Sequence, residues 1–222
     1  MRIRRKKWAR EELDNFSIYI DKPEVNKNNW RNLFKNKNNP LFIELGCGKG
    51  NFISILASNN LDINFIAVDM IEAMLGLSKR NIEEKYKEKN LTSFDNLYLI
   101  RANIEQISNV FGPDDKVDRI YINFCNPWPK EKHKKRRLTH IRQLKQYKEF
   151  LNNNAEIYFK TDSDELFTDS LEYFKEEGFK LEKISYDLHK NPIFENNIVT
   201  EHENMFSNEG IKIKAAIYTI DK

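Results

Sequence analysis

Short apolar runs alternate with amphipathic stretches along this 222-residue sequence, and this alternation restricts its fold more than any other feature. Five runs have strand length and are rich in β-branched or aromatic residues: 41–45, 65–68, 97–100, 120–124 and 157–159. Between them, apolar residues recur every three or four positions, which predicts helices at about 50–59, 71–89, 104–111, 138–152 and 163–177. Strands that alternate with helices form a parallel sheet.

The C-terminal part departs from this alternation. Two further strand-like runs, 179–187 and 211–220, follow with no helix predicted between them, so they are expected to pair antiparallel. The prediction is a doubly wound α/β fold, with a seven-stranded, mostly parallel sheet and an antiparallel C-terminal hairpin. Since no Pro- or Gly-rich linker divides the chain, we expect a single domain over 1–222 with a basic N-terminal arm at about 1–15.

Composition excludes several classes of protein. With 40% hydrophobic and 32% charged residues, the chain is typical of soluble globular proteins. No apolar run approaches the roughly 18 residues of a membrane span, and no apolar signal region follows the basic start, so we expect a cytoplasmic protein without membrane contact. Cys47 and Cys125 lie in apolar contexts, which indicates reduced thiols and neither a disulfide nor a metal site.

Positive charge is unevenly distributed, although the net charge is only +3. Two stretches hold much of the excess: Arg2, Arg4, Arg5, Lys6, Lys7 and Arg10, and then Lys130, Lys132, Lys134, Lys135, Arg136 and Arg137. Each alone could be a solvated tail or loop. Together they favour a polyanionic partner.

A glycine-rich loop follows the first strand of the alternating pattern. It reads Glu-Leu-Gly-Cys-Gly-Lys-Gly over 44–50, at the ligand position of a doubly wound fold. Gly46 and Gly48 let the backbone turn sharply and approach a ligand. The third glycine, Gly50, comes one residue too early for a dinucleotide fingerprint. Glu44 disfavours a pyrophosphate but suits the ammonium and sulfonium charges of S-adenosylmethionine.

Polar residues close the next two strands. Asp69 could accept both hydroxyls of a ribose, or it could cap the following helix; beside the glycine loop we favour the ribose role. Asn103 could read an adenine edge or serve only as a turn residue.

Two prolines shape the segment after the fourth strand. Pro127 and Pro129 exclude a helix and push the preceding residues, Asn126 and Trp128, toward extended conformations. Asn126 would offer an amide to a base edge and Trp128 an indole for stacking. The alternative is a rigid surface turn with a buried tryptophan.

Four separated motifs resemble one family. The sequence Asn-Phe-Cys-Asn-Pro-Trp-Pro-Lys at 123–130, with His-Lys-Lys-Arg-Arg-Leu at 133–138, is similar to the signature of bacterial tRNA (guanine-N7)-methyltransferases. Phe-Lys-Thr-Asp at 159–162 and Thr-Glu-His-Glu at 200–203 agree with later motifs of that family. Two residues depart from it, because the family usually has Asp in place of Asn126 and Tyr in place of His202.

The resemblance implies a Rossmann-like methyltransferase fold, a tRNA partner and S-adenosylmethionine as cofactor, with no metal. It places four residues in the cofactor pocket beside the loop glycines: Glu44, Asp69, Asn103 and Asn126. It places six in contact with the tRNA guanosine: Lys130, Asp162, Thr200, Glu201, His202 and Glu203. Asn126 and Asp162 are the expected catalytic residues, although Asp162 could instead be a helix N-cap.

Methylation of guanine N7 in the tRNA variable loop is the function that the resemblance implies. Because N7 carries a lone pair and no proton, the reaction needs positioning more than a general base. Carboxylates such as Asp162, Glu201 or Glu203 would stabilise the positive charge that develops on the purine. Two alternatives stay open: an amino-group methyltransferase acting on adenine N6 or cytosine N4, and a catalytically silent RNA-binding relative.

Overall fold

The computed structural model describes residues 6–222. The strands are β1 (Tyr19–Ile20), β2 (Leu41–Leu45), β3 (Asn64–Asp69), β4 (Leu97–Arg101), β5 (Val117–Asn123), β6 (Leu151–Thr161), β7 (Lys180–Ser185) and β8 (Lys214–Ile220). The α-helices are α1 (Lys7–Asp14), α2 (Asn51–Asn59), α3 (Glu72–Glu88), α4 (Ile141–Phe150), α5 (Asp164–Glu176) and α6 (Glu201–Asn208). Short 3₁₀ helices cover Pro23–Asn26, Trp30–Leu33, Ile104–Asn109, Pro113–Asp115 and Glu131–Arg136.

All eight strands form one sheet in the order β1-β4-β3-β2-β5-β6-β8-β7. Strand β8 runs antiparallel to both of its neighbours, and the other pairings are parallel. The chain moves outward from β2 through β3 to β4, then returns to place β5 on the other side of β2. The carboxyl ends of β2 and β5 therefore flank the topological switch point, where doubly wound sheets bind ligands.

Both faces of the central strands are buried, which explains their continuous apolar character. In β2, Ile43 and Leu45 belong to one core cluster and Phe42 belongs to the other. The first cluster includes side chains of α4 and α5, such as Leu144 and Phe167. The second includes residues of α1, α2 and α3, so the sheet is covered by helices on both sides.

The structure confirms the doubly wound sheet and the antiparallel C-terminal strands, but it corrects three details. The sheet has eight strands, because the two residues of β1 pair with β4 and are too few to give a periodic signal. The predicted helix at 104–111 is a 3₁₀ segment with non-helical backbone at Gln106. Helix α6 lies between β7 and β8, where the sequence was expected to contain none.

The predicted N-terminal arm is a packed helix where the structure describes it. Helix α1 lies so close to α3 that a Cβ on Gly76 would stand 2.8 Å from the Cβ of Ala9. The Arg80 guanidinium stacks 4.1 Å above the Trp8 ring. Arg2, Arg4 and Arg5 lie outside the described residues. None of the helices within residues 6–222 is long and apolar enough to cross a membrane.

Candidate functional site

A cleft of about 400 Å³ opens at the carboxyl ends of β2 and β5. The glycine loop, from Gly46 to Phe52, forms one wall, and Thr200, Glu201, His202 and Met205 form the other. Glu44 and Asn123, from the two flanking strands, also line it. The cleft thus brings together two motifs that are about 150 residues apart in sequence, as expected at the switch point.

The glycine loop has left-handed backbone at positions where a side chain would be strained. Gly48 has a φ of +54°, and a Cβ there would meet nothing within 4 Å. Gly50 has a φ of +75°, and a Cβ there would stand 2.1 Å from the Ser78 hydroxyl. Gly50 is therefore required for packing against α3, whereas Gly48 leaves open space beside the backbone.

Glu44 is a buried carboxylate with one oxygen unpaired. It is 2% exposed, and its Oε1 accepts a hydrogen bond from the Asn123 amide at 3.1 Å. Its Oε2 has no partner among the described residues. Burial raises the pKa of Glu44 to about 7, against the opposing effects of the Asn123 bond and the Lys160 charge. A buried, half-paired acid of this kind favours a cationic ligand.

Asp69 and Asn103 do not line the cleft, and both side chains bind backbone. The Asp69 carboxylate accepts hydrogen bonds from the backbone N–H groups of Gly48 and Ile71, each at 2.9 Å. Burial raises its pKa. The Asn103 oxygen accepts the Glu105 N–H at 3.0 Å and caps the following 3₁₀ helix. Asp69 therefore touches the glycine loop directly, whereas Asn103 is exposed at the end of β4.

The segment after β5 forms a turn, with a conformation that differs from the prediction. Asn126 is exposed, and its Oδ1 accepts the Trp128 N–H at 3.1 Å. Trp128 has a φ of +42° and is not extended, although a proline follows it. A second hollow of about 350 Å³ is lined by Asn126, Trp128, Pro129, Lys130 and His133. Trp128 is only half-buried there, with the Arg136 guanidinium 5.3 Å from its ring centre.

Asp162 follows β6 beside this turn without lining either hollow. Its carboxylate has no hydrogen-bond partner among residues 6–222, and Lys214 binds only its backbone carbonyl. The α5 N-cap is Ser163, whose hydroxyl accepts the Leu166 N–H at 3.2 Å. The capping role considered for Asp162 therefore belongs to its neighbour.

The 200–203 motif divides between the cleft and the interior. Thr200 caps α6 by accepting the Glu203 N–H at 3.0 Å. Glu201 accepts a hydrogen bond from Lys49 at 2.7 Å across the mouth of the cleft. His202 is exposed and stacks on Phe124. Glu203 is fully buried and faces away from solvent, so its place in the interior does not suit direct contact with RNA.

Lys160 is a functional candidate that the sequence analysis missed. Its ammonium donates to the Glu203 carboxylate at 2.8 Å and to the Ile198 carbonyl at 3.0 Å. Both side chains are almost completely buried, and burial lowers the pKa of Lys160. Lys160 also carries the positive charge that acts on Glu44. A lysine directly after the apolar run 157–159 was the available signal.

The second basic stretch is only partly available to a partner. Arg137 is fully buried and binds Glu165 and Asp169 of α5, and Lys134 binds the same two acids. The expectation that Arg137 contacts phosphate is therefore wrong for this structure. The exposed members of the stretch are Lys130, Lys132, Lys135 and Arg136.

A larger cavity of about 500 Å³ lies along the sheet face and shares Phe52 and Asn123 with the cleft. Within the described part of the chain, no group of three or more His, Cys, Asp or Glu residues could hold a metal ion. Cys47 and Cys125 are free thiols.

Solved structures with this fold include methyltransferases that act on ribosomal RNA. The 16S rRNA methyltransferase KamB matches with a TM-score of 0.59 at 15% identity, covering 86% of this chain and 91% of that chain. The aminoglycoside resistance methyltransferase NpmB1 matches with a TM-score of 0.54 at 16% identity, covering 85% and 89%. At these identities the likeness shows a shared fold.

Sequence relatives are much closer. A family model described as "Putative methyltransferase" matches residues 38–216. Over 217 residues the chain is 56% identical to a tRNA (guanine-N(7)-)-methyltransferase of Clostridium beijerinckii, and the match covers 98% of each chain. It is 54% identical to one from Clostridium perfringens with the same coverage. The chain therefore belongs to the tRNA (guanine-N(7)-)-methyltransferase family.

Proposed function

We propose that this protein transfers a methyl group from S-adenosylmethionine to N7 of a guanosine in the variable loop of tRNA. The observation that carries the proposal is the cleft at the switch point, where the glycine loop faces the Thr200–His202 wall. The substrate in the names of the relatives supports tRNA as the partner. A tRNA substrate supports a cytoplasmic location for the reaction.

The residues of the cleft fit the cofactor. The unpaired Oε2 of Glu44 would accept the ammonium of its methionine part, and the open space at Gly48 would admit the ligand close to the backbone. Gly46 would lie in the same contact surface. Asp69 would bind the ribose, because each of its oxygens keeps a lone pair beyond the backbone bonds. Asn103 would turn its free NH₂ group toward adenine.

Bound cofactor supplies an electrophilic methyl group on a sulfonium. The N7 lone pair attacks without loss of a proton, so the reaction needs no general base. The residues of this chain therefore mainly have to hold guanine in line with the methyl group. Asn126 and Lys130, which line the second hollow, would orient the base and its backbone. The Asp162 carboxylate, which has no hydrogen-bond partner among residues 6–222, would stabilise positive charge on the purine.

The second wall of the cleft would hold the other side of the nucleotide. Thr200, Glu201 and His202 line the cleft and would contact the guanosine region. For Glu203 we propose an indirect role, since its buried carboxylate anchors this segment to Lys160. N7 faces the deep groove of A-form RNA, so an accessible target lies in a loop or distorted region.

Product analysis tests the proposal. The protein is incubated with labelled S-adenosylmethionine and unmodified tRNA, and the labelled nucleoside is identified after digestion. We expect N7-methylguanosine. Labelled N6-methyladenosine or N4-methylcytidine would identify an amino-group methyltransferase, and cofactor binding without product would indicate a silent relative. Gly48→Val is the control, because a branched side chain at φ +54° should strain the loop and abolish binding of adenosylhomocysteine.

A further inference from the structure

Arg137 occupies an unexpected place for a member of a basic stretch. Its relative exposure is 0%, whereas the neighbouring Arg136 side chain is 44% exposed. The Arg137 Nε donates to the Pro127 carbonyl at 2.7 Å. Its two terminal nitrogens bind carboxylates of α5, one on Asp169 and one on Glu165 at 2.9 Å. The guanidinium therefore joins the Asn126–Lys130 turn to a helix.

This turn has few bonds of its own. Pro127 and Pro129 have no N–H group to donate, and Trp128 adopts a left-handed backbone that is costly for a large side chain. Such a conformation persists only where the surroundings impose it. The Asn126 oxygen supplies one bond, to the Trp128 N–H. The bond from Arg137 to the Pro127 carbonyl ties the turn to α5, and the His133 N–H bonds to the Lys130 carbonyl at the end of the turn at 2.8 Å.

The residue after Arg137 extends this support. Leu138 and Cys125 pack against the same core cluster. Burial raises the pKa of the Cys125 thiol to about 12, and the Leu138 N–H opposes that rise. The Leu138 side chain also lies 3.8 Å from the place where a Cβ on Gly46 would stand. Residues 137 and 138 therefore contact both the turn and the glycine loop, the two segments that methyl transfer has to align.

We propose that Arg137 is a positioning residue: it fixes the Pro127 carbonyl, and with it Asn126 and Trp128, at the carboxyl end of β5. The predicted loss of methylation rate rests on the proposed function, whereas the predicted change in the conformation of the turn does not. Lysine cannot replace arginine in this role, because one ammonium lacks the rigid fork that meets three acceptors in different directions. A phosphate ligand, by contrast, would tolerate lysine.

The test compares Arg137→Lys with Arg136→Ala and with Arg31→Lys. Arg31 is the matched control, since it also binds an aspartate and backbone carbonyls but lies at the amino end of β5. Three quantities are measured: the single-turnover methylation rate at saturating tRNA, the salt dependence of tRNA binding, and hydrogen exchange in the peptide covering 124–131. Affinity for adenosylhomocysteine verifies that the cofactor cleft is intact.

We expect Arg137→Lys to lower the single-turnover rate by about tenfold to a hundredfold and to speed exchange in the 124–131 peptide. Its salt slope and its adenosylhomocysteine affinity should match those of the natural protein. Arg136→Ala should instead flatten the salt slope by about one unit. Arg31→Lys should leave rate and local exchange unchanged.

Either of two results for Arg137→Lys overturns the inference: a salt slope flattened as in Arg136→Ala, or a rate and local exchange no different from Arg31→Lys. If Arg137→Lys does not fold, Asp169→Leu removes one acceptor of the guanidinium from α5, and unchanged exchange and rate in that variant overturn the inference equally. Hydrogen exchange reports on the turn even if the natural protein transfers no methyl group. The positioning role of Arg137 and the proposed function can therefore fail independently.

Discussion

At the scale of single residues, Asn126 stands where the resemblance to the family leads us to expect an aspartate. Its amide oxygen holds the Trp128 N–H, and a carboxylate oxygen would accept the same bond. Because N7 attack removes no proton, we expect Asn126→Asp to change the single-turnover rate by at most about tenfold to a hundredfold, roughly 1.4 to 2.7 kcal/mol of barrier. Asn126→Leu, which cannot accept the bond, should lose more. If Asn126→Asp forms N7-methylguanosine and the natural protein forms none, the natural protein is a catalytically silent relative.

Glu44 makes cofactor binding depend on pH. Burial raises its pKa to about 7, so below that pH the free protein holds a neutral acid, and an ammonium ligand has to displace the proton. We expect affinity for adenosylhomocysteine to rise between about pH 6 and about pH 8 and to level off at higher pH, with proton release detected by calorimetry in two buffers. Glu44→Gln should bind more weakly and lose this dependence.

Other charged or titratable groups near Glu44 supply the controls. Lys160 and Asp69 act on it electrostatically, and His202 lines the same cleft. The Lys160 charge opposes the rise of the Glu44 pKa, and the Asp69 charge adds to it. His202→Gln should keep the pH dependence of the natural protein. A dependence lost with His202 and kept in Glu44→Gln would assign the proton to the histidine.

At the scale of elements, the Lys160–Glu203 pair joins β6 to α6. Removing one partner of a buried ion pair costs about 3–5 kcal/mol, because the other charge stays buried. Lys160→Met should lose that much free energy of unfolding in urea. The double variant Lys160→Met/Glu203→Leu should recover at least half of it, since it leaves no unpaired charge. Lys35→Met, which breaks the exposed pair with Asp95, should cost less than about 1 kcal/mol.

A small loss of unfolding free energy from Lys160→Met, similar to that of Lys35→Met, would contradict the anchoring role of the buried pair.

The same elements show where sequence patterns succeed and fail. The strands β2 to β6 were predictable because each contains a short, largely buried apolar run. Helix α6 was missed because it has only eight residues, although the Thr-x-x-Glu spacing at 200–203 is a helix-start signature. The packing of Arg137 had no signal at all, since burial depends on α5, which is distant in sequence.

At the scale of the whole molecule, the exposed members of the second basic stretch follow β5 and lie beside the carboxyl ends of the strands. Lys132 and Lys135 are exposed next to the Asn126 turn. Changing both to Ala should weaken tRNA binding and lower the magnitude of its salt slope by about two units, because each lysine neutralises about one phosphate. Lys35 and Lys37 precede β2 and so lie at the opposite end of the sheet. Changing those two should leave the slope unchanged, and equal slopes for both pairs would indicate nonspecific attraction.

The central claim is that the methyl group goes to guanine N7. Two tRNA transcripts test it directly: one with guanosine and one with 7-deazaguanosine, which lacks the N7 lone pair, at the target position in the variable loop. Methyl incorporation is measured in both under single-turnover conditions, and binding is measured in parallel. The account predicts one N7-methylguanosine per natural transcript, and no methyl transfer to the deaza transcript at similar affinity. Equal incorporation into both transcripts, or label on adenine or cytosine, would contradict it.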